Sequence, residues 1–597
     1  MQVSKVETPE PPFEDSRRLT GSNFYFAGCG AALETMGPQA RDPVALAAWW
    51  MRANAAREAL GWATTEPVVR VHRTATSLAF TAPADQLYTA TEINEWAWCA
   101  SVAFHDFHAP GHASTQDTAS ALHTLQRFAA AEHRPDAITL LDAALAHGVP
   151  ALHDDDALSL GLGTRGRTWL IDALPSVDDV PWAMLGTIPA ALVTGSNGKT
   201  TTVRLIAAML RAHGLRTAHS CTDGLFVGGG ASDAADVERL ESGDYSGPTG
   251  ARQLLRRPDV EAAVLETARG GLLRRGLALA DADVAVVTNI SADHFGEYGV
   301  HSVEDLAAVK LTVARAVAAR GWLVLNAEDP LLRDLGPSRA SRVAWFATDH
   351  AALPTDAMDV PRCAVRDGRL LLDDGIQTHD LGEIAAMPIT LEGRARYNIA
   401  NAAGAALAAS LLHVPMATIR AVLADFGRSH ADNPGRLQHW AFAGIEIFLD
   451  YAHNPEGLAG LLQIAQARRG NGRMALLLGQ AGNREDDQIR ELAAVAARFA
   501  PDLVVVKDID GYLRGREAGE VAQVIREALL HHGMPESALP VRLREAEAAR
   551  EALAWAQPGD VLVLPVHSLD AKTEVAGLLE ALQASGWQPG QALPTAD

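Results

Sequence analysis

The sequence predicts an α/β fold in which a separate N-terminal α+β domain precedes two α/β domains in tandem. After about residue 190, short apolar runs alternate with helical stretches in the rhythm of a parallel sheet. Before that point the apolar runs are short and interrupted, and Trp and His are frequent. We predict an N-terminal domain over 1–160, a linker over 161–188, a central domain over 189–432 and a Rossmann-like C-terminal domain over 433–597.

The composition is that of a soluble globular protein with several domains. The chain has 597 residues, of which 48% are hydrophobic and 21% are charged, which excludes the disordered and fibrous classes. A formal net charge of −22 disfavours DNA or an acidic membrane as the main partner. The four cysteines are far apart, so we expect neither a disulfide framework nor a zinc ribbon. Residues 1–18 lack an apolar run, and we expect a cytoplasmic protein without nucleic-acid or membrane partners.

Two series of strand-like runs define the two α/β domains. The first series is AALVTG (190–195), EAAVLET (261–267), DVAVVTNI (283–290) and GWLVLNAED (321–329). The second series is IEIFLDYA (445–452), RMALLLGQ (473–480), DLVVVKD (502–508) and DVLVLPVHS (560–568). Helical patterns separate the strands, so we expect each series to form a parallel sheet.

The segment VTGSNGKTTT (193–202) has the pattern of a phosphate-binding loop. A buried strand ends at Thr194, a glycine-containing loop follows, and a helix starts around Lys199. This order points backbone N–H groups and the positive end of a helix at a phosphate chain. Lys199 would neutralise phosphate charge, and the Thr200 hydroxyl would bind Mg²⁺. The spacing GxxGKT is shorter than the common GxxxxGKT loop, but strand, loop and helix together predict a nucleotide site.

Further candidate ligands follow other strands at the same edge of the predicted sheets. Glu266 ends the strand 261–267, and His294 comes just after the next strand, so both could reach a metal beside the phosphate loop. Asp450 and His453 lie where a strand of the second series runs into a loop, a place suited to a sugar hydroxyl and a ring. Asn398 starts an Ala-rich helix, a pattern that by itself predicts only close packing.

The order and spacing of these blocks resemble the Mur ligase superfamily. TGSNGKTTT, ETARGG, NISADHFGEYG, GRARYNIANA, NPGR and DYAHNPEGL occur here in the same sequence and sense as in that superfamily. The blocks CTDGLFVGG (221–229) and RGREAGEV (514–521) resemble the cyanophycin synthetase branch, and the likeness is near-continuous from about residue 187 to 568. The stretch 147–173 resembles the segment before the ATP-grasp domain of that branch, and the phosphate loop follows almost at once. We therefore expect the ATP-grasp domain to be missing.

The resemblance implies ATP and Mg²⁺ as cofactors and a role for each matching residue. Lys199 and Thr200 match the phosphate-loop lysine and the magnesium-binding threonine, and Glu266 and His294 match the metal ligands. Lys310 falls where several members carry a carbamylated lysine that helps to bind a second Mg²⁺. The nucleotide-binding residues that it implies are Gly195, Asn197, Gly198, Lys199, Thr200, Thr201, Asn398 (adenine), Arg436 (lid and phosphates), Asp450 (ribose) and His453.

The same resemblance implies a ligase that activates a carboxylate as an acyl phosphate and couples it to an amine. The expected acceptor is an Asp side chain of a cyanophycin-like peptide or polymer, and the expected donor is an amino acid. Arg269 and Arg274 could hold the acceptor, and Asp508 and Asp510 the donor. The alternative is a non-catalytic partner that binds nucleotide or polymer and regulates a separate ATP-grasp enzyme. A homo-oligomer stays open.

Overall fold

The computed structural model describes residues 10–104, 117–230, 236–292, 295–355 and 359–594. Its N-terminal part is a four-stranded antiparallel sheet of order β1-β2-β4-β3 with helices packed beside it. The elements are β1 (Phe13–Leu19), β2 (Gly30–Thr35), α1 (Pro43–Ala59), β3 (Val68–Val71), β4 (Thr76–Thr81), α2 (Leu87–Ser101), α3 (Thr118–Glu132) and α4 (Pro135–Ala146). Within the described ranges, no helix is both long enough and apolar enough to cross a membrane.

Aromatic side chains fill the core of this N-terminal part. Trp49 from α1, Trp98 from α2 and Phe80 from β4 are fully buried in one cluster. The indole N–H of Trp49 donates to Asn94 Oδ1 at 2.8 Å, so its polar atom is satisfied inside the core. The frequent Trp residues of the sequence therefore serve packing here.

A small three-stranded antiparallel sheet leads from the N-terminal part to the next sheet. It consists of β5 (Ala151–His153), β6 (Ala157–Leu160) and β7 (Arg167–Leu170). Strand β7 falls inside the segment 161–188 that the sequence predicts as a linker. Short 3₁₀ turns follow, and the chain then enters the first strand of the central sheet at Ala190.

The central sheet has eleven strands in the order β11-β10-β9-β12-β8-β13-β14-β15-β16-β17-β18. The seven strands from β9 to β16 in that order are parallel, and antiparallel hairpins extend the sheet at both edges. The strands are β8 (Ala190–Thr194), β9 (Thr217–Cys221), β10 (Gly224–Gly228), β11 (Val237–Ser242), β12 (Ala262–Glu266), β13 (Ala282–Val287), β14 (Val317–Asn326), β15 (Val343–Ala347), β16 (Arg362–Arg366), β17 (Arg369–Asp373) and β18 (Thr378–Glu383). The four predicted strands of the first series are β12, β8, β13 and β14, the middle of the sheet.

Helices cover both faces of this sheet. They are α5 (Lys199–Ala212), α6 (Pro248–Leu255), α7 (Arg269–Arg274), α8 (Val303–Lys310), α9 (Pro330–Leu335), α10 (Arg396–Leu411) and α11 (Met416–Asp425). The Ala-rich α10 packs closely on β15, and a Cβ on Gly404 would lie 3.3 Å from the Phe346 ring. Small side chains on α10 therefore permit the close packing that its composition predicts.

The C-terminal sheet has five strands in the order β19-β20-β23-β21-β22. All neighbours are parallel except β19 and β20, and two buried clusters lie on its two faces. The elements are β19 (Gln438–Phe442), β20 (Ile445–Asp450), α12 (Pro455–Arg468), β21 (Met474–Leu478), α13 (Asp486–Arg498), β22 (Leu503–Val506), α14 (Glu520–His531), α15 (Glu545–Trp555), β23 (Val561–Pro565) and α16 (Leu569–Ser585). The predicted class, an N-terminal α+β part followed by two α/β sheets, is confirmed.

Candidate active site

A cavity of about 960 Å³ lies where the carboxyl ends of the two parallel sheets face each other. Open parallel sheets bind ligands at this edge, because the loops that follow the strands meet there. Thirteen predicted site residues line it: Asn197, Gly198, Lys199, Thr200, Thr201, Glu266, Arg269, Arg274, Lys310, Asn398, Arg436, Asp450 and His453. The predicted ligand His294 lies outside the described residues.

The phosphate loop between β8 and α5 is held by the segment that follows β13. Asn289 Oδ1 accepts a hydrogen bond from the Asn197 amide at 2.8 Å, and Thr288 Oγ1 donates to the Asn197 carbonyl at 2.6 Å. Gly198 has a φ of +81° and caps α5, and a Cβ there would lie 2.1 Å from Asn401 Oδ1. The loop is thus shaped by its neighbours, and its helix begins at Lys199 as predicted.

Lys310, the last residue of α8, reaches the loop from the side. Its ammonium donates to the carbonyl oxygen of Gly195 at 2.7 Å, and the residue is buried. Gly195 has a φ of +145°, and a Cβ there would lie 1.8 Å from Thr288 Oγ1. Lys310 therefore supports the bend of the phosphate loop, a contact that no pattern in the sequence predicts.

Thr200 and Glu266 lie together at the base of the cavity. The Thr200 hydroxyl donates to Glu266 Oε2 at 2.7 Å, while the buried Glu266 Oε1 has no hydrogen-bond partner in the described part of the chain. Burial raises the pKa of Glu266, although the nearby Lys199 ammonium opposes the shift. A buried carboxylate oxygen without a partner beside a hydroxyl suits a hard cation such as Mg²⁺, so these two residues fit the implied metal.

Arg436 crosses from the C-terminal side to the phosphate loop. Its Nη2 donates to Thr222 Oγ1 at 3.0 Å and to Thr200 Oγ1 at 3.3 Å. Its guanidinium carbon lies 4.0 Å from the centre of the Tyr451 ring, a cation–π contact that fixes its direction. The arginine predicted to reach the ATP phosphates thus already faces the loop.

The phosphate loop also touches the start of α12 directly. Asn197 Nδ2 donates to Glu456 Oε2 at 2.9 Å, and Asn197 Oδ1 accepts from Asn454 Nδ2 at 2.8 Å. Asn454 is also the N-cap of α12, which it forms by accepting from the Gly457 amide. These contacts close the cavity on the side of the loop.

The residues predicted to hold adenosine lie in the cavity with their polar atoms engaged by the protein. Asn398 Nδ2 donates to the Ile389 carbonyl at 2.9 Å. Asp450 Oδ2 accepts from the Leu437 amide at 2.7 Å, and burial raises the pKa of Asp450 against the opposing charge of Arg436. His453 lies in the loop after β20, with Nδ1 3.1 Å from the Tyr451 carbonyl oxygen.

The two candidate acceptor arginines belong to α7, which follows β12. Arg269 is buried and pairs with Glu297 at 2.6 Å. Arg274 is exposed, and its Nε donates to the Tyr298 hydroxyl at 3.1 Å, a bond that raises the pKa of Arg274. Both line the same cavity as Glu266.

Asp508 and Asp510, the aspartates predicted to hold the donor, belong to the loop that follows β22. In the described lining the segment contributes Ile509, Tyr512 and Arg514, but neither Asp508 nor Asp510. Asp508 is buried and accepts from the Gly519 amide at 2.8 Å, just before α14. Ile509, which lies between them, is 4% exposed and lines the cavity.

Two family models match the two parallel sheets. Residues 193–409 match the Mur ligase middle domain, and residues 435–565 match the domain described as Mur ligase, glutamate ligase domain. This chain belongs to the Mur ligase family. The matches begin at the phosphate loop and end with β23, so they enclose every described residue of the cavity except His567.

One relative is a cyanophycin synthetase from Synechocystis sp., which is 35% identical to this chain over 391 residues. The matched region covers 65% of this chain and 43% of the relative. The chain therefore spans less than half the length of that relative. A UDP-N-acetylmuramoyl-L-alanyl-D-glutamate–2,6-diaminopimelate ligase from Synechococcus elongatus is 27% identical over 62% of this chain and 70% of the relative. One similar solved structure is the bifunctional folylpolyglutamate synthase/dihydrofolate synthase of Yersinia pestis, complexed with AMPPNP and Mn ion. It is 20% identical, the TM-score is 0.46, and the match covers 66% of this chain and 88% of that one.

Sequence reasoning did not single out several residues that this Mur ligase family site brings together. Thr222 and Tyr451 contact Arg436, and Asp223 lies beside them. Thr222 and Asp223 belong to the block CTDGLFVGG, which resembles the cyanophycin synthetase branch, but the resemblance assigned neither residue a role. Their position on a turn at the sheet edge is what makes them part of the site.

Proposed function

We propose that this protein is an ATP-dependent ligase that forms an amide bond between a carboxylate and an amino-acid amine. The observation that carries the proposal is the convergence of Lys199, the Thr200–Glu266 pair and Arg436 on one cavity. These residues come from both sheets, and each supplies charge or oxygen ligands where a phosphate chain would lie.

The chemistry requires activation because a carboxylate does not react with an amine at neutral pH. A carboxylate oxygen of the acceptor attacks the γ-phosphorus of ATP, and the bond to the bridging oxygen of ADP breaks. The amine then attacks the acyl carbon of the acyl phosphate, inorganic phosphate leaves, and the amine loses a proton. Lys199 and Arg436 stabilise the charge on the transferring phosphoryl group by their position.

Thr200 and Glu266 would hold Mg²⁺, and the resemblance adds His294 and Lys310 in carbamylated form. Bound Mg²⁺ would neutralise the phosphate oxygens and orient them for in-line transfer. The protein's part is to place the Glu266 carboxylate there; burial raises its pKa, and the Lys199 ammonium opposes that shift.

Exclusion of water protects the acyl phosphate from hydrolysis. The pairing of Asn197 with Glu456 and the approach of Arg436 to Thr222 cover the phosphate loop from the side of the C-terminal sheet. A covered site also keeps the substrates bound until they react.

For the substrates we propose an Asp side chain of a cyanophycin-like peptide as acceptor and a free amino acid as donor. The acceptor rests on the likeness to a protein named cyanophycin synthetase and on Arg269 and Arg274, which line the cavity beside Glu266. The donor would enter beside Tyr512 and Arg514, the exposed loop of the C-terminal side.

The test is ADP release from ATP and Mg²⁺ across a matrix of substrates. Donors are arginine, lysine, alanine and glutamate, and acceptors are a β-Asp-Arg dipeptide, poly-aspartate and free amino acids. We expect ADP only when donor and acceptor are both present, with the Lys199→Ala variant as the inactive control. Release of ADP by no pair, together with retained binding of AMPPNP, would favour the non-catalytic partner instead.

A further inference from the structure

We propose that Lys572 is a positioning residue for Arg436, which it holds at the phosphate loop when the C-terminal sheet lies against the central sheet. The inference rests on the proposed function only in giving Arg436 a role at the ATP phosphates. Lys572 lies in the first turn of α16 and is 7% exposed. It contacts three groups around Arg436, namely Asp223, the Gly435 backbone and the Tyr451 ring.

The first contact is an ion pair across the two sheets. The Lys572 ammonium donates to Asp223 Oδ1, in the turn between β9 and β10, and Asp223 Oδ2 accepts from Arg204 of α5 at 2.8 Å. Asp223 is 6% exposed, so the pair is removed from water. Because Asp223 belongs to the central side and Lys572 to the C-terminal side, this pair exists only while the two sides are together.

The second contact is with the residue that precedes Arg436. Gly435 has a φ of +68°, and a Cβ built there would lie 2.6 Å from Lys572 Cδ. The aliphatic part of Lys572 therefore packs directly against the Gly435 backbone. The third contact is with Tyr451, since Lys572 Nζ lies 5.1 Å and the Arg436 guanidinium 4.0 Å from the centre of its ring.

The connecting segment is held from its other side by α5. Arg204 Nη1 donates to Asn433 Oδ1 and to the Pro434 carbonyl, both at 3.1 Å. Asn433 Nδ2 in turn donates to Thr201 Oγ1 at 3.2 Å, in the helix of the phosphate loop. The segment 433–436 thus lies between α5 and α16, and Arg436 emerges from it toward Thr222.

The charges of this cluster join the two sides beside the phosphate loop. The cations Arg204, Arg436 and Lys572 lie around Asp223, and Arg436 also faces the carboxylates of Glu266 and Asp450. Although burial alone would raise it, Arg204 first and then Arg436 and Lys572 hold the pKa of Asp223 well below its usual range. Because Arg436 reaches the phosphate loop from the C-terminal side, nucleotide binding and contact between the two sides would favour each other.

A double-mutant cycle on nucleotide affinity tests the proposal. The dissociation constant of AMPPNP with Mg²⁺ is measured by calorimetry for the wild type, Lys572→Met, Arg436→Met and the double variant. We expect each single change to weaken binding about tenfold or more, and the double variant to lie within about twofold of Arg436→Met. Lys572→Arg should recover part of the loss, and Glu574→Gln, an exposed change on the same helix, should have no effect.

Losses that multiply in the double variant would show that Lys572 acts independently of Arg436 and would overturn the proposal, as would wild-type affinity in Lys572→Met. If Lys572→Met does not fold, Asp223→Asn enters the same cycle from the other side of the pair. Failure of the ligase function would give a different result. In that case no pair of substrates would give ADP, but the wild type would still bind AMPPNP and the affinities of the double-mutant cycle could still be measured.

Discussion

The Thr200 hydroxyl donates a 2.7 Å hydrogen bond to Glu266 Oε2, while Oε1 of the same buried carboxylate has no hydrogen-bond partner among the described residues. Glu266 is 1% exposed, and its pKa is raised chiefly by burial. Burial of the ionised carboxylate costs stability, and a bound cation would offset that cost.

Glu266→Gln should therefore lower activity and raise the stability of the unliganded protein. Because the folded-state pKa of Glu266 is raised, the group favours folding when protonated and opposes it as pH rises above its ordinary pKa. We expect the Tm of the variant without nucleotide to equal or exceed that of the wild type at pH 7, with kcat lower by about 10²-fold or more. Differential scanning fluorimetry with and without Mg²⁺ and AMPPNP measures the Tm, and ADP release measures kcat. A variant that Mg²⁺ and AMPPNP stabilise as fully as the wild type would contradict the metal role.

Lys199→Ala should abolish ADP formation while leaving the fold intact. Lys199 is only half-buried, and its ammonium donates to the Ser196 carbonyl at 3.2 Å, so little folding energy depends on it. We expect the Tm to stay within about 2 °C of the wild type. Near-normal turnover in this variant would remove the ligase assignment.

We expect that neither Asp508 nor Asp510 has the donor-binding role that the sequence suggests. Asp508→Ala removes the acceptor of the Gly519 amide and should cost about 1–2 kcal/mol of stability, measured by urea unfolding. Asp510→Asn should leave the kcat/KM for arginine, lysine, alanine and glutamate within about threefold, because its side chain does not line the cavity among the described residues. A selective loss of cationic donors in Asp510→Asn would restore the original assignment.

Acid should destabilise the C-terminal sheet through His567. Burial first, and then the Lys507 ammonium, lower the pKa of His567 to about 4, against the opposing effect of Glu545. Because the folded-state pKa is depressed, the stabilisation is fully present above the ordinary pKa near 6.5 and is lost as pH falls toward 4. We expect a loss of about 3 kcal/mol across that window.

Unfolding measured at pH 7.5 and pH 5 should show a smaller difference in His567→Gln than in the wild type. His531→Gln, an exposed change on α14, is the matched control and should keep the wild-type difference. Equal pH dependence in all three proteins would show that another group governs acid stability.

The product should be a side-chain amide or a single addition, without extension of the acceptor backbone. Residues 171–189 join the small sheet β5–β7 to β8 and contain only short 3₁₀ turns. This is the place where the resemblance would put the ATP-grasp domain. Mass spectrometry of the reaction with poly-aspartate should show amide additions without backbone extension. A ladder of alternating residues made by this protein alone would contradict that expectation.

The sequence by itself determined the parts of this protein that depend on local patterns. The phosphate loop, the start of α5 at Lys199 and the end of β12 at Glu266 follow from apolar runs that stop at polar residues. The spacing of apolar residues, and the residues that start and end each element, depend on neighbours along the chain, so they can be recognised without the tertiary structure.

Only the tertiary structure decided which distant side chains meet. Lys572 and Asp223 are 349 residues apart, and their pairing depends on how the two sheets pack together. The cavity-lining residues of the loop after β22 are equally hidden, because an irregular loop has no period that the sequence could show; among the described residues Ile509 lines the cavity and Asp508 does not. Contacts between sheets and the facing of loop residues arise from long-range packing, whereas the strands and helices that carry them arise from the local pattern.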